Sequence, residues 1–578
     1  MKSLKYLFVI FFTLLLSCGE DVLEREPLNK ISANQVWKDE VMVKGYVTNL
    51  YSRFPFFPFD QGGWYCWSDE GTQSTGNSNN VTRGLVSKSS EMHAYWDYAY
   101  IRDINIFLEN IVDAEITDAV KKQLEGEVRF MRAFVYFEMM RRYGGVPLVD
   151  AVIDPFSPVD EKYVVRATEE QIADFIDSEC TLAASLLPDV SKPRGRANKY
   201  TALALQARAN LWAASIAKFS TVQLNGLVGI PSSKAKSYYQ KASDAASAVI
   251  NSQKYSLYNA DPGNIVENYR KLFLVDNNEL IFVKVYDGVN VGHSWNEWMG
   301  PNQWADRGGQ GNPTLNFILR YENVDGSADQ PVFGASALYS TGTEAFAKKD
   351  PRLFATVFFE GDKFGSITTE TYEGVDPSAT PTPSTIIRNP NQSFNGIPCA
   401  GQDSRSLVKD DFSTNSGFHI KKYVDDSQIK IPSGNSKVSW ITFRLAEMYL
   451  IKAEAEFEMG DNLDIAATAL NATRNRAGLT QVNASNITRD LIRNERTSEL
   501  AFEVHRYWDL KRWRIAETVL TGNIQGLQII LHAATMKYYF IPFNCESFTR
   551  TFKPEHYYNP ITNSRIDNNP KLVENPLY

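Results

Sequence analysis

The chain has 578 residues, 43% hydrophobic and 12% aromatic, enough apolar material for a large folded core and too much for a disordered chain. Its formal charge is −8, from 60 Lys and Arg against 68 Asp and Glu, and no basic run offers a nucleic-acid footprint. The acidic balance bears on solubility and says little about fold.

At the amino terminus Lys2 and Lys5 precede the apolar run Tyr6 to Leu16, broken by Thr13. That run is too short to span a bilayer and has the length of a secretory core segment. It ends in Leu15-Leu16-Ser17-Cys18, which looks like a lipobox with the Cys18 thiol as the site of lipidation. An ordinary secretion signal with an incidental cysteine is the alternative. Lipid chains contribute about 0.8 kcal/mol per buried methylene, so an acylated Cys18 anchors a chain without a transmembrane helix. Residues 1–17 are therefore expected to be a signal peptide and 18–31 a lipidated tether. Cys66, Cys180, Cys399 and Cys545 show no zinc-ligand spacing. Buried thiols are expected, with pairwise oxidation left open.

The elements follow in order. Ser32 to Asn49 opens with an N-cap candidate and carries Val36, Trp37, Val41, Val43 and Tyr46 at amphipathic helical spacing. Residues 53–90 are loop-forming in composition yet hold Trp64, Tyr65 and Trp67, with Asp69 and Arg83 among them. Helical period returns from Glu91, first at Trp96, Ile101, Ile104, Leu108 and Ile111, then at Val120, Leu124, Val128, Met131, Val135 and Met139. The second helix is expected to stop at Arg141-Arg142-Tyr143-Gly144, with Pro147 beyond. Thr168 to Gln171 forms a capping-box candidate for a helix over 168–187. An Ala-rich helix over 199–218 and another over 233–252 follow, and these pairs suggest a tetratricopeptide-like array without the strict repeat consensus. Between 256 and 437 the helical period nearly disappears. Leu280 to Tyr286 and Arg352 to Phe359 read there as strands. Helices resume over Ser439 to Met459 and Asp464 to Arg476.

Thr488 to Arg514 is the most charge-patterned stretch. Arg496 and Glu499, Glu503 and Arg506, Arg506 and Asp509, and Asp509 and Arg512 are each three apart, neighbours on one face of a helix or of two joined helices. The apolar residues between them require burial on more than one side.

Motifs for catalysis are missing: the chain has no H-E-x-x-H, G-x-S-x-G, Walker loop or G-x-G-x-x-G. The six histidines never fall at metal-ligand spacing. Asp461 to Asp464 is oxygen-rich, but capping between two helices explains it better than calcium. Trp remains. Trp64 and Trp67 lie in the first loop, and Trp295, Trp298 and Trp304 lie with Asn296, Asn302, Gln303, Asp306 and Arg307 in VGHSWNEWMGPNQWADRGGQGN. Sugar rings pair an apolar face with a rim of hydroxyls, so indoles flanked by amide, carboxylate and guanidinium groups suit them. An exposed indole platform for an oligosaccharide is expected, formed by Trp64, Trp67, Trp295, Trp298 and Trp304. Asp69, Arg83, Asn302, Asp306 and Arg307 are its polar contacts. Some of these Trp could instead pin loops to helices. Glu297, Asp306 and Glu322 could serve a glycosidase, which also needs two carboxylates.

Six stretches carry a family resemblance. E-R-x-x-E-L-x-F-E, then R, then D-L-x-R-W, on Glu495, Arg496, Glu499, Leu500, Phe502, Glu503, Arg506, Asp509, Leu510, Arg512 and Trp513, resembles the C-terminal signature of the SusD/RagB-type nutrient-binding lipoproteins of Bacteroidetes outer membranes. Where that family has Gly after the last Glu, this chain has Val504. Arg132, Ala133, Tyr136, Phe137 and Tyr143 to Leu148 resemble a second stretch of the family. So do RLAEMYLIKAEA, LNATRNRAGL, Phe540-Ile541-Pro542 and Asn575-Pro576-Leu577-Tyr578, with Glu574 and Leu577 departing from the family's ending. Glu20, Asp21 and Glu24 after Cys18 are similar to the signal that sends such lipoproteins to the cell surface.

The resemblance implies a mainly α fold: a tetratricopeptide-like scaffold over 32–255 and 438–578, with an irregular, loop-rich insert over 256–437 carrying a few short strands, in one SusD-like domain. It further implies a protein without turnover or cofactor, lipid-anchored in the outer membrane and facing outward. Such a protein would bind a nutrient and pass it to a SusC-like TonB-dependent transporter. Peptide-binding members of the family are known, so the ligand class stays open at this point.

Overall fold

The structure, a computed structural model, describes residues 33–56, 59, 63–74, 80–304, 307–408, 412–428 and 430–578. The expected signal peptide and tether with Cys18, and Asp306, lie outside the described residues. Eleven described helices have seven residues or more: α1 (Glu40–Arg53), α2 (Tyr98–Asn110), α3 (Asp118–Tyr143), α4 (Glu169–Leu186), α5 (Lys199–Phe219), α6 (Ala235–Asn251), α7 (Ile265–Leu272), α8 (Leu445–Met459), α9 (Leu463–Arg476), α10 (Arg489–Glu499) and α11 (Arg506–Arg512). The longer strands are β1 (Leu280–Lys284), β2 (Trp440–Arg444), β3 (Gln525–His532) and β4 (Lys537–Asn544).

Local chemistry explains the helix ends. Thr168 accepts from the Gln171 amide at 3.1 Å while the Gln171 side chain accepts from the Thr168 amide at 2.9 Å, closing the capping box at the head of α4. α3 stops at Gly144, whose φ of +73° is left-handed, and a side chain on Gly145 would lie 2.0 Å from the Ala167 carbonyl. α3, α4, α5, α6, α8 and α9 then pack as a continuous stack, each on the next. In α5, Ala202, Ala204, Ala207, Ala209, Ala213, Ala214 and Ala217 are all buried, and their small side chains let α4 and α6 approach. The expected mainly α architecture is what the chain adopts.

Several expectations are corrected. Arg352 to Phe359 is not one strand: Arg352–Thr356 is a helical turn, and Val357–Phe358 pairs with His419–Ile420. Pro351, with φ −55°, pre-sets the turn, and Asp350 accepts from the Arg352 amide at 2.9 Å. Helix α8 begins at Leu445, because Trp440, Ile441, Thr442 and Phe443 are strand formers, and Trp440, Ile441, Phe443 and Arg444 pair antiparallel with β1 across an irregularity at Thr442. The first helix runs from Glu40 with Asp39 as its N-cap, after a single turn at Ala33–Val36. The hairpin of β3 and β4 and helix α7 have no counterpart among the expected elements. Asn462 caps α9 through the amides of Asp464 and Ile465, the capping expected of this stretch, and Asp461 pairs with Lys236 at 2.9 Å.

One buried apolar cluster extends from Val43 to Leu572 and draws on both the scaffold and the insert. Cys66, Cys180, Cys399 and Cys545 are buried and none is in a disulfide. Among the described residues no helix is long and apolar enough to cross a membrane.

Thr488 to Arg514 forms two helices, α10 and α11, joined by residues 500–505. Phe502 and Val504 there have φ of +54° and +65°. Val504 thus takes a left-handed turn without a glycine, although that conformation costs an ordinary residue roughly 1–2 kcal/mol. The turn swings the charges inward. Of the four expected neighbour pairs, Asp509–Arg512 forms at 2.8 Å, and long-range partners replace the others. Glu499 meets Arg352 at 2.7 Å and Arg444 at 2.6 Å and also pairs with Arg476. Glu503 meets Lys422 at 2.7 Å and Arg444 at 2.8 Å, and Arg506 reaches Asp69 at 2.9 Å. All of these residues are buried.

The buried histidines set the acid response. Burial pushes His293 and His419 from 6.5 down to about 3 and His556 down to about 4, and lowers His93 and His505 as well. Below pH 6.5 the unfolded chain takes up these protons first, so their contribution is whole above 6.5 and is lost as pH falls toward 3–4. Glu70 and Glu360, each pushed up by burial to about 7, act oppositely, losing their contribution as pH rises from 4.5 through 7. At the acid end the carboxylates that buried guanidiniums hold low, among them Asp69, Glu499, Glu503 and Asp509, begin to lose their contribution as well, so the melting temperature should be lower at pH 4 than at pH 6.5. A flat profile in scanning calorimetry over that range would contradict this.

Candidate ligand-binding site

The helical turn Trp295–Met299 and the loop to Gly311 sit where two distant Trp-rich segments meet. Gly311–Pro313 pairs antiparallel with Gly71–Gln73, which brings the first loop alongside. Trp64 then stacks on Trp295 with ring centroids 5.4 Å apart and planes 7° from parallel. The Trp295 indole donates to the Lys422 carbonyl at 3.0 Å. Trp304 stacks on Phe364, centroids 3.4 Å apart, and meets the Phe358 ring edge-on.

The exposed platform is therefore corrected. Trp295 is 0% exposed, Trp304 3%, Trp64 4% and Trp67 6%. Indoles in a Gly-rich loop need not face water, since the loop folds over its own rings: a side chain on Gly308 would lie 2.2 Å from the Gly300 carbonyl. Trp67 belongs elsewhere, stacked on His93 and edge-on to Tyr507 of α11. Asp69 is likewise buried. Burial would raise its carboxyl, but Arg506 and Arg320 at 2.9 and 2.8 Å hold it down at about 2, and they occupy it fully as an ion-pair partner. Arg83 is exposed, its guanidinium 5.7 Å from the Phe548 ring, and no described contact joins it to residues 295–304.

Trp298, Gln303 and Arg307 keep access to solvent, whereas both polar atoms of the Asn302 side chain are buried. Trp298 is half-buried, its backbone held by Ser294 and Gln310. The Gln303 amide and side chain donate to the two Asp403 oxygens at 2.9 and 2.8 Å, tying the turn to the insert. Arg307 is exposed with its Nε 3.9 Å from Glu297. Asn296 clasps a second loop, donating to the carbonyls of Asp425 and Gln428 and accepting from the Asp425 amide. Asp403, Phe364, Gln428 and Lys430 thus frame the turn. Sequence reasoning missed them, because they lie 60 or more residues downstream and carry no local pattern. Of the glycosidase candidates, Glu297 sits beside Arg307 while Glu322 pairs with Arg474 at 2.9 Å next to the ionic core.

Residues 278–578 match the family model described as the SusD family, and residues 64–211 match one described as starch-binding associating with outer membrane. SusD-like protein P38 of Formosa agariphila is 25% identical over 569 residues, covering 91% of this chain and 93% of its own. A SusD-like protein from Bacteroides fragilis superposes with a TM-score of 0.72 at 25% identity, over 96% of this chain and all of the other. Another from that organism, named a SusD-like carbohydrate-binding protein, superposes with a TM-score of 0.70 at 21% identity, over 93% of this chain and all of the other. The signature on α10 and α11, the helical stack and these matches agree, and the chain belongs to the SusD family.

Proposed function

We propose that this protein is a surface lipoprotein that binds an oligosaccharide through the 295–307 turn and delivers it to a SusC-like TonB-dependent outer-membrane transporter. The observation that carries the ligand reading is the turn itself. Buried Trp295 and Trp304 lock it, and it offers the half-buried Trp298 with Gln303 and Arg307 at the surface. An indole flanked by amide and guanidinium groups matches the apolar face and hydroxyl rim of a sugar. Family membership supports a carrier role over catalysis, as does the carbohydrate named for one neighbour. Native electrophoresis of the soluble mature chain through gels containing different polysaccharides tests the ligand. Retardation by one of them supports the proposal, and free migration through all of them refutes it.

The anchor is proposed on the lipobox at Cys18. Cys18→Ala should leave a folded protein that no longer sediments with membranes. Retention in the membrane pellet after a carbonate wash would show that something else holds it.

A further inference from the structure

A small cavity opens beside the turn, lined by Asn296, Glu297, Trp304, Phe364, Gln428 and Lys430. Its volume is about 10 Å³, room for one water-sized group. Three of these residues carry a buried polar atom with no hydrogen-bond partner: Glu297 Oε2, Gln428 Oε1 and Trp304 Nε1. Each such atom has given up its hydrogen bonds to water and gains from any group that supplies a partner. The arrangement is also held rigidly. Asn296 fixes the Asp425–Gln428 loop through three hydrogen bonds, and the Trp304 carbonyl accepts from the Lys430 amide at 2.9 Å.

We infer that a single ligand hydroxyl enters this cavity, donating its one hydrogen to Glu297 Oε2 and accepting from the Trp304 indole N–H. The inference rests on the carbohydrate reading above and narrows it. The charged Glu297 oxygen and the Trp304 N–H together call for a group that both gives and takes a hydrogen bond, and the single hydrogen of a hydroxyl goes to the carboxylate in preference to the Gln428 amide oxygen. An ammonium cannot accept from the indole. A carboxylate or sulfate cannot donate to Glu297, would face its charge, and exceeds the space. The favoured ligands are therefore glycans that present an unsubstituted hydroxyl at the recognised position. Those O-sulfated, O-acylated or O-methylated there are refused.

The test uses whichever glycan the affinity gels retain, with its mono-O-methyl derivatives, one hydroxyl blocked at a time. Each is titrated calorimetrically against the parent and Glu297→Gln, with melting curves recorded for both. Hydrogen bonds to charged groups are worth about 10- to 100-fold in affinity. One derivative should lose that much on the parent and show little further loss on the variant, whose affinity for the unblocked glycan is lowered by at least about tenfold. Unchanged affinity in Glu297→Gln, or independent losses from methylation and substitution, overturns the inference while leaving the carbohydrate reading intact. A crystal structure of the complex with an ordered water only in the cavity does the same. Failure of every glycan to be retained overturns both.

Discussion

Replacing Glu499 with alanine is expected to cost about 3–5 kcal/mol of folding stability, the range for breaking a buried ion pair from one side. Glu499 is 0% exposed and faces Arg352, Arg444 and Arg476. Burial would raise its carboxyl, but these three guanidiniums hold it well below the usual range, so it is charged at any pH the folded protein meets. Alanine leaves three guanidiniums in the interior short of one shared counter-charge. Glu279, Asp350, Glu495 and Glu503 remain to serve Arg352, Arg444 and Arg476 in part, which sets the loss near this range and not far above it. Lys236→Ala, which removes an exposed partner of Asp461, should change stability by less than about 1 kcal/mol. Urea denaturation of the two variants separates them. A Glu499→Ala loss as small as the Lys236→Ala loss would mean that water reaches the network.

Trp295→Ala should lower stability by about 3–5 kcal/mol, as truncating a core indole does. The side chain is wholly enclosed against Trp64 and Phe59, and its loss also leaves the Lys422 carbonyl without its donor. The effect extends further, because the Lys422 ammonium pairs with Glu503 and loosening this segment disturbs the ionic core. Trp298→Ala is the contrast. A half-buried ring leaves a smaller void, and stacking on a sugar is worth about 1–3 kcal/mol by analogy with base–aromatic contacts, or roughly five- to 150-fold in affinity. Denaturation and glycan titration on both variants check the assignment. If Trp295→Ala unfolds like the parent, the indole is not the core residue its burial indicates.

What was legible in the sequence is what neighbouring residues determine among themselves. The Thr168–Gln171 box, the Gly144 stop and the alanines of α5 each declare their role within a few positions. The charges of α10 and α11 announced burial but not their partners, because a helix rule assigns neighbours three residues away and the left-handed turn at Phe502 and Val504 cancels it. Val504 shows the limit of reading by type, since a β-branched residue holds a conformation that its chemistry disfavours. The site was legible as a segment and not as a surface. Gly, Pro and Asn around Trp295 and Trp304 read as exposed loop, whereas Phe364, Lys422 and Trp64 supply walls from far away in the chain.

The ionic core also dictates when the chain can fold. Arg506 finds Asp69 across 437 positions, and Arg352, Lys422, Arg444 and Arg476 all wait for carboxylates on α10 or just beyond it. Until those last helices are present, collapse of the earlier segments would enclose cations with too few counter-charges, which is more costly than leaving them hydrated. Contacts spanning most of the chain also slow folding, since their loops close before any reward arrives. A polypeptide arrested at residue 485 should therefore be cleaved throughout by a protease under conditions where the full chain resists. Protected scaffold helices in that fragment would show early, independent folding. For a chain that must be secreted to reach the surface position proposed above, such delay keeps it threadable through a secretion channel until translation is nearly complete.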